Sequence, residues 1–464
     1  MKTYNDLIEV KNETEKMEFV RGAISDHIAS PFYQEAKTAY NYYRKRNETI
    51  ISYQKLLYTL SGRAVPDNFS ANYKFCNAFF PIFIKQEVNY LLGNGVSFNE
   101  DGTKDKLGGD RFDETMCDLS KKALWGGVSY GFILDGKIDV FDILEFVPLV
   151  NEETGALMAG IRFWQVAPNK PLRATLYEID KYTDYMWNKD DAKVLSEKRY
   201  GQVVKANSVG DYEILDGKNY PSFPIVPLWA NSERQSELVG LQEKIDGYDL
   251  IQSGFANDLD DASQIYWTIT NAGGMDDVDL AKFIERMKVV KAAVVDEQGS
   301  KPEAHTIDVP YAARQAGLQD LRDSLYRDAM ALDTDKISAG NVTATAIEAS
   351  YENLSLKCDD FEIQVTTFIR AILDFLGIDD SPSYKRSKII NIGEDTQMIL
   401  SAAQYLDDET IINHLPFLNP DEVDEIIERR EKEERDRFTQ AEETETEEES
   451  DEGNADEEAS DESV

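Results

Sequence analysis

The sequence is poor in cysteine and histidine. Its 464 residues include three of each, and the cysteines Cys76, Cys117 and Cys358 lie far apart. An odd, scattered set of cysteines provides neither a disulfide framework nor a Cys-x-x-Cys metal motif, which is typical of a protein made in a reducing compartment. The histidines are also too few and too scattered for a metal site. We therefore expect no metal and no cofactor.

Long apolar runs are missing as well. No segment approaches the ~18 residues that a membrane span needs. The N-terminal stretch MKTYNDLIEVKNETEKM lacks the apolar centre of a signal peptide. We expect no membrane association, and we expect the protein to assemble in a cytoplasm.

Basic residues are scarce relative to acidic ones. Lys and Arg number 49 against 88 Asp and Glu, which gives a net charge of −39. That balance argues against a stable, sequence-independent grip on DNA or on anionic lipid, which requires clustered cations. It does not exclude a protein that DNA must pass without sticking.

The acidic excess is greatest at the C-terminus. Residues 439–464 hold 13 carboxylates and no Lys or Arg. Such a segment cannot bury enough apolar surface to offset its ordering entropy, so we predict a disordered acidic tail. It could bind a basic partner, or it could serve solubility alone.

Motifs for nucleotide binding and catalysis are absent or incomplete. No G-x-x-x-x-G-K-[ST] sequence is present, which argues against a P-loop ATPase. GVSYG (Gly127–Gly131) matches the elbow that presents a serine nucleophile, but that elbow requires a strand before Ser129 and a helix after it. Here a helical stretch precedes and a strand follows. We expect no catalytic residue, and a serine hydrolase using Ser129 is the alternative.

The residue pattern predicts an α+β fold that is mainly helical. We predict that residues 1 to about 125 are mostly helical. Beyond Gly126, stretches such as YGFILDG and AGIRFWQV are rich in aromatic and β-branched residues and are separated by turn residues. We predict an antiparallel, meander-like sheet that runs to FPIVPLW (Phe223–Trp229).

Three long helices follow. From Arg234 to Asp261, apolar residues recur every three or four positions, while carboxylates occupy the other faces. Asp258 and Asp261 share one of those faces, and we interpret it as an acidic helix surface rather than a two-metal site. The carboxylates in this segment are Glu237, Glu243, Asp246, Asp249, Asp258, Asp260 and Asp261.

The second and third helices are separated by a polar loop. A small strand–helix–strand–strand insert precedes the second helix, which begins after Pro310. After the loop DKISAGNVT, a capping box formed by Thr345 and Glu348 opens a heptad pattern that continues to Gly377. The first two long helices and the small insert between them bury too little surface by themselves. They need identical neighbours, as the subunits of a ring provide.

Four stretches, in this order, resemble the portal proteins of tailed bacteriophages, in the branch from long-tailed phages of Gram-positive hosts. They are NYLLGNGVSF (Asn89–Phe98), the stretch Phe223–Asp261 that contains PIVPLWANSERQSEL, ISAGNVTATAIEASYENLSLKC (Ile337–Cys358) and LPFLNPDEVDEIIERREKEE (Leu415–Glu434). The loop here is poorer in glycine than is common in the family, and Ala230 stands where the family often has Asn.

The resemblance implies the portal fold with wing, stem, clip and crown. Carried onto this sequence, its parts are the wing (1–233), the two stem helices (234–262 and 311–333), the α/β clip (263–310), the tunnel loop (334–344), a long wing helix and strand (345–389), the crown (390–438) and the acidic tail (439–464).

The resemblance also implies the function. The chain is expected to form a dodecameric ring at one capsid vertex of the virion, through which double-stranded DNA is packaged and ejected, without enzymatic activity. Its partners would be the major capsid and scaffolding proteins, the large terminase and the head–tail adaptor.

The expected site residues fall into three groups. They are the DNA-facing loop residues Ser338, Ala339, Gly340, Asn341, Val342 and Thr343, the acidic stem lining Asp258 and Asp261, and the clip residues for terminase and adaptor docking, Asp276, Asp277, Glu285 and Glu297.

Overall fold

The computed structural model describes most of the chain. The described residues are 2–58, 62–68, 70–100, 102–134, 136–188, 191–200, 203–206, 212–215, 222–262, 266–269, 302–305, 310–338, 344–387, 396, 399–403, 405–415, 423, 426–427, 429–430 and 432. The chain forms two compact units, one made of residues 1–336 and 350–387, the other of residues 337–349 and 388–464.

Helices and strands alternate in blocks along the chain. The helices of the described residues are α1 (Tyr4–Ile8), α2 (Glu13–Ala29), α3 (Pro31–Tyr43), α4 (Glu48–Ser52), α5 (Phe79–Leu92), α6 (Thr103–Lys106), α7 (Phe112–Gly126), α8 (Gln242–Ala262), α9 (Tyr311–Asp328), α10 (Thr334–Ser338), α11 (Ala344–Leu376) and α12 (Asp408–His414). None of these helices combines the length and the apolar content that crossing a bilayer requires.

The strands of the described residues are β1 (Leu56–Tyr58), β2 (Ala64–Pro66), β3 (Val96–Phe98), β4 (Val128–Leu134), β5 (Lys137–Asp142), β6 (Phe146–Val150), β7 (Leu157–Trp164), β8 (Leu172–Tyr177), β9 (Lys181–Asn188), β10 (Asp191–Arg199), β11 (Val203–Ala206), β12 (Tyr212–Leu215), β13 (Ile225–Trp229), β14 (Tyr266–Ile269), β15 (Pro302–His305) and β16 (Pro382–Tyr384).

The largest sheet is an antiparallel meander, as the sequence predicts, but it contains neither the strand of YGFILDG nor that of FPIVPLW, which the prediction placed in the same sheet. Strands β6 to β10 pair with their sequence neighbours in the order β10-β9-β8-β7-β6. A second sheet places β4 between β13 and β5, so that the strand of FPIVPLW pairs with the strand of YGFIL. The remaining strands form two-stranded pairs, including β14 with β15 and β16 with β3.

Two hydrophobic cores support these sheets. The larger core joins α3, α5, α7 and α11 to the three-stranded sheet, with Met116, Val128 and Val365 fully buried. The smaller core packs α1 and α2 against the meander through residues such as Val20 and Ile161. The larger core contains α11, so the fold of the N-terminal half depends on a helix that begins more than 100 residues after the last strand of the three-stranded sheet.

Helix α11 confirms its predicted pattern. The predicted heptad stripe consists of Ile347, Tyr351, Leu354, Cys358, Phe361, Val365, Phe368, Ile372 and Phe375. Every member from Tyr351 onward is buried, and the side chain of Ile347 lies outside the described residues. The helix lies against β4 at Gly131, where a Cβ atom would come within 2.6 Å of the Phe368 ring, so glycine is required for this close approach. It ends as predicted before Gly377, which has the left-handed φ of +68° that favours glycine at this cap position.

The other two long helices differ from their predicted bounds. Helix α8 begins at Gln242 rather than Arg234, because Arg234 and Gly240 both adopt positive φ angles, which interrupt a helix. Helix α9 ends at Asp328, and Met330, with φ of +52°, turns the chain into the short helix α10. Part of the segment predicted as a loop is therefore helical.

Of the predicted insert, only strands β14 and β15 lie within the described residues, where they pair in an antiparallel manner. The helix predicted at DDVDLAKFIERMK (276–288) and the strand predicted at VVKAAVV (289–295) lie outside them, as does the acidic tail. The predicted crown contributes α12, whose cap residue Asp407 accepts hydrogen bonds from the backbone N–H and hydroxyl of Thr410.

Candidate functional site

Helices α8 and α9 form an antiparallel pair joined by ion pairs near both ends. Lys244 contacts Asp328 and lies 2.8 Å from the Ser324 hydroxyl, while Arg314 contacts Asp258. Fourteen residues separate the paired positions on each helix, a distance of about 21 Å at 1.5 Å per residue. The equal spacing fixes the register of one helix against the other.

The side of α8 that packs inward is unexpectedly polar. Asp249, Ser253 and Asn257, spaced four residues apart, are buried, whereas Leu259 of the predicted apolar stripe is half exposed. Asp249 is thus wrongly placed by the sequence pattern, which assigns it to an outer face. It is completely buried.

These polar side chains bind an extended backbone segment, residues 70–78. The backbone N–H of Tyr73 donates to Asn257 at 2.7 Å, and that of Phe75 donates to Ser253 at 2.9 Å. The N–H of Asn77 donates to Asp249 at 3.1 Å. Two residues of an extended chain advance about 6.6 Å and four residues of a helix about 6 Å, so alternate N–H groups meet every fourth side chain.

We call these contacts between α8 and residues 70–78 the ladder, and Asp249 accepts the most hydrogen bonds in it. It also accepts hydrogen bonds from the amide groups of Asn47 at 2.9 Å and Asn77 at 2.6 Å. Burial raises the pKa of its carboxyl, and the amide donors partly oppose that rise. The carboxylate therefore connects α8 to the end of the extended segment and to the start of α4.

A second buried polar cluster holds α11 in place. The ammonium group of Lys357 lies 2.8 Å from a carboxylate oxygen of Glu87 on α5 and 2.8 Å from one of Glu237, in the turn before α8. It also donates to the backbone carbonyl of Ala329, just after α9, at 3.3 Å. One cation thus connects α11 to three segments that flank the antiparallel pair.

The cluster is charged and largely removed from water. Glu87 is 1% exposed and Lys357 is 12% exposed. Burial raises the pKa of Glu87 to about 7, although Lys357 pulls it downwards. Burial alone would lower the pKa of Lys357, but Glu87 and Glu237 raise it above its usual value. Lys357 therefore remains charged, while Glu87 titrates near neutrality.

The sequence carries a signal for one half of this cluster. Glu87 lies within the apolar run FFPIFIKQEVNYLL, three residues after Ile84 and four before Leu91, both buried. A carboxylate on an apolar helix face requires a buried partner. Lys357 directly precedes Cys358 of the heptad stripe, but nothing in the sequence pairs these distant residues.

The predicted site residues are only partly described. Asp258 lies on α8 in its pair with Arg314, and Ser338 ends α10. Asp261 lies in the last turn of α8, with its side chain outside the described residues. Outside them entirely are Ala339, Gly340, Asn341, Val342, Thr343, Asp276, Asp277, Glu285 and Glu297.

The geometry of Ser129 is unlike that of a nucleophile. Its side chain is buried, and its hydroxyl donates to the backbone carbonyl of Leu119 at 2.8 Å. As the sequence predicts, a helix precedes the residue and a strand contains it, so the strand–turn–helix order of the elbow is not formed here. Across the described ranges, no group of three or more His, Cys, Asp or Glu residues could hold a metal ion.

Comparison with known proteins decides the family. Residues 24–437 match the family model described as phage portal protein, SPP1 Gp6-like. The chain belongs to this family of phage portal proteins. The resemblance inferred from the four sequence stretches is therefore confirmed.

Curated relatives of this portal protein come from phages of Gram-positive genera. It is 25% identical to the portal protein of Clostridium phage phiCD119 over 451 residues, which covers 90% of this chain and 96% of the relative. It is 23% identical to the portal protein of Bacillus phage SPP1 over 436 residues, which covers 87% of this chain and 84% of the relative.

Solved structures show a weaker likeness. The portal protein aligns with a chain in the virion of a native gene transfer agent particle over 72% of its own length and 88% of that chain. The TM-score is 0.42 and the sequence identity is 12%. A chain in the neck of the native particle, computed with C12 symmetry, gives a TM-score of 0.41, with 12% identity and coverage of 74% and 90%.

The buried carboxyl of Glu87 predicts a pH dependence of stability. Because its pKa in the folded portal protein is raised to about 7, the folded state holds a proton that the unfolded chain has already lost above about pH 5. Its contribution to stability is complete below that pH and is lost as pH rises through 7.

We expect Glu87→Gln to remove this dependence. As pH rises from 5 to 8, the unaltered protein should lose roughly 1–3 kcal/mol of unfolding free energy that the Gln variant keeps. Urea unfolding at several pH values measures the difference. Glu352→Gln, at an exposed position of α11, is the control and should follow the unaltered protein. Parallel curves for Glu87→Gln would contradict the prediction.

The ladder on α8 predicts a local change when Asp249 is removed. Asp249→Ala leaves the N–H and amide donors of Asn77 and the amide of Asn47 without their acceptor, and should cost about 2–4 kcal/mol. Hydrogen exchange should accelerate in residues 70–78. Asp249→Asn keeps one acceptor oxygen and should lose less than half as much. Unchanged exchange in the Ala variant would rule out a role for the ladder.

Proposed function

We propose that this portal protein assembles into a closed dodecameric ring at one vertex of a phage capsid and that double-stranded DNA passes through the ring during packaging and ejection. The observation that supports this function best is the family match across residues 24–437. The ring is a component of the virion, and its subunits assemble in the host cytoplasm.

The division into parts follows the resemblance, with helix bounds taken from the fold. In this proposal residues 1–233 form the wing, and α8 and α9 are the main helices of the stem segments 234–262 and 311–333. The antiparallel register of these two helices, fixed by Lys244 and Arg314, suits a stem that carries the clip at its far end. Residues 390–438 form the crown, ahead of the acidic tail (439–464).

Partners bind at different parts of the ring. The clip (263–310) receives the terminase motor and later the head–tail adaptor, through a surface that includes Asp276, Asp277, Glu285 and Glu297. The wing contacts the major capsid and scaffolding proteins. The loop from Ser338 to Thr343 is small and uncharged, and forms the constriction that touches DNA sterically without holding it.

A conduit for DNA must not bind it tightly. The net charge of −39 gives the subunit an acidic surface that repels phosphates. We assign Asp258 and Asp261 to the lining of the channel or its mouth. Arg314 neutralises part of the charge of Asp258, so Asp261 carries more of the repulsion.

A ring of about a dozen subunits is the first expectation. Native mass spectrometry of the purified portal protein should give a mass of about twelve times 52.6 kDa, and negative-stain images should show rings with a central hole. A chain that stays monomeric at every concentration, with capsid components included, would overturn the proposed function.

The channel lining predicts a packaging defect from charge reversal. Asp258→Lys combined with Asp261→Lys should slow packaging by roughly tenfold or more, because the added cations attract phosphates to the wall. The measurement is the amount of nuclease-protected DNA in a packaging reaction, with ring formation checked first.

The Asp258–Arg314 pair provides a matched control. The swap Asp258→Arg with Arg314→Asp keeps the net charge and the ion pair, and should package DNA at the normal rate. Normal packaging by the double lysine variant would show that the lining does not act by repulsion.

A further inference from the structure

The turn between α9 and α10 is fixed at its backbone. The N–H of Met330 donates to the carbonyl of Arg327 at 3.1 Å, and the N–H of Ala331 donates to that of Tyr326 at 2.9 Å. This pair of bonds is the Schellman motif, which ends a helix with a left-handed residue, usually glycine. Met330 takes that place with φ of +52°. A side chain in this conformation persists only where the surrounding structure holds it.

Two neighbouring helices hold this turn from outside. The side-chain amide of Gln86 on α5 donates to the backbone carbonyl of Leu332 at 2.8 Å. The ammonium group of Lys357 on α11 donates to the carbonyl of Ala329 at 3.3 Å. The side chains of Ala329 and Leu332 are buried. The turn therefore has a fixed place relative to α5 and α11 as well as to α9.

Arg322 on α9 binds the start of α10. Its guanidinium group lies 3.0 Å from the carboxylate of Asp333 and 2.5 Å from that of Asp335. Asp333 directly precedes α10 and accepts a hydrogen bond from the backbone N–H of Asp335 at 3.3 Å. The guanidinium also lies over the ring of Tyr326, 5.3 Å from its centre. The side chain of Asp333 is only 7% exposed, so loss of Arg322 would leave a buried carboxylate without its cation.

A second ion pair of the opposite order lies beside the first. The ammonium group of Lys336 on α10 is 3.0 Å from the carboxylate of Asp323, the next residue of α9 after Arg322. A hydrogen bond from Lys336 holds the pKa of Asp323 below its usual value. A cation and an anion on α9 thus face anions and a cation on α10, an order that a shift of α10 along α9 would break. We call these five residues the α10 anchor: Arg322, Asp323, Asp333, Asp335 and Lys336.

We propose that Arg322 is a positioning residue, which through the α10 anchor sets where Ser338 stands in the channel. This inference rests on the proposed function, which assigns Ser338, the last residue of α10, to the DNA-facing group. Ser338 is three residues after Asp335, less than one helical turn, so any shift of the anchored part of α10 moves Ser338 with it. A steric contact with DNA depends on the place of the contacting residue, and that place is fixed here by charges on α9.

Arg322→Gln removes the cation that the anchor shares. Hydrogen exchange in residues 331–338 should accelerate by tenfold or more, while native mass spectrometry gives the same ring as for the unaltered protein. Nuclease-protected DNA in a packaging reaction should fall below half. Arg322→Lys keeps a cation and should recover part of both losses. Arg327→Gln, at a residue of α9 that is 72% exposed and only 3.7 Å from its neighbour Asp328, is the matched control and should behave as the unaltered protein.

The more exposed pair allows a rescue experiment. Lys336→Asp places two carboxylates opposite each other, which should release α10 and lower both exchange protection and packaging. Addition of Asp323→Lys restores an ion pair in the reversed order and should recover most of the loss. Such a recovery depends on the pairing of the two residues, because each of them then carries the opposite charge and neither can repeat a contact with DNA or with a partner.

The outcomes separate the anchor from the proposed function. If rings of the unaltered protein package no DNA, the proposed function is wrong and the anchor has nothing to position. If Arg322→Gln rings package DNA normally, the positioning role is wrong and the conduit stands. If packaging falls without faster exchange, Arg322 acts on DNA or a partner directly, which also overturns the proposal. If Arg322→Gln forms no rings, the rescue decides, and absence of recovery by the exchanged pair contradicts the anchor.

Discussion

The buried ammonium group of Lys357 constrains the whole central part of the protein. It binds Glu87 and Glu237 and thereby holds α11 against α5 and against the turn that leads into α8. Removal of one partner from a buried ion pair leaves an uncompensated charge, which is costly. Displacement of any one of the three segments would therefore leave a buried charge without its partner. Because Glu87 titrates near neutrality, the strength of this connection depends on pH in the physiological range.

The same logic of buried polar contacts applies to α8. Its inward row of Asp249, Ser253 and Asn257 binds backbone N–H groups, which fixes the helix against an extended segment that has no strand partner of its own. The outward parts of α8 and α9 are joined by partly exposed ion pairs and by a contact between the rings of Phe255 and Tyr311 at 5.5 Å. Such pairs set register and contribute little stability. Helix α8 is therefore held firmly along its inward row and less firmly where it meets α9.

Several elements could be predicted from the sequence because their pattern is local. The meander strands, the heptad stripe of α11 and its end before Gly377 follow from alternation, three-four spacing and a cap glycine, and each is confirmed. The predicted start of α8 was wrong by eight residues. The positive φ angles at Arg234 and Gly240 come from the turn that these residues make, and a pattern of apolar residues does not encode that turn. The polar inward row of α8 was missed because hydrogen-bonded side chains can replace apolar ones where a backbone segment must be satisfied.

The sequence by itself determined the mixed fold, the acidic character and the membership of the portal family, since composition, periodicity and motif order are properties of the chain read in one dimension. Only the tertiary structure decided which charges meet. Glu87 and Lys357 are 270 residues apart, and Lys244 is 84 residues from Asp328. No local pattern encodes such pairs, because their energy comes from removing both groups from water at one place, and that place exists only after the helices have packed.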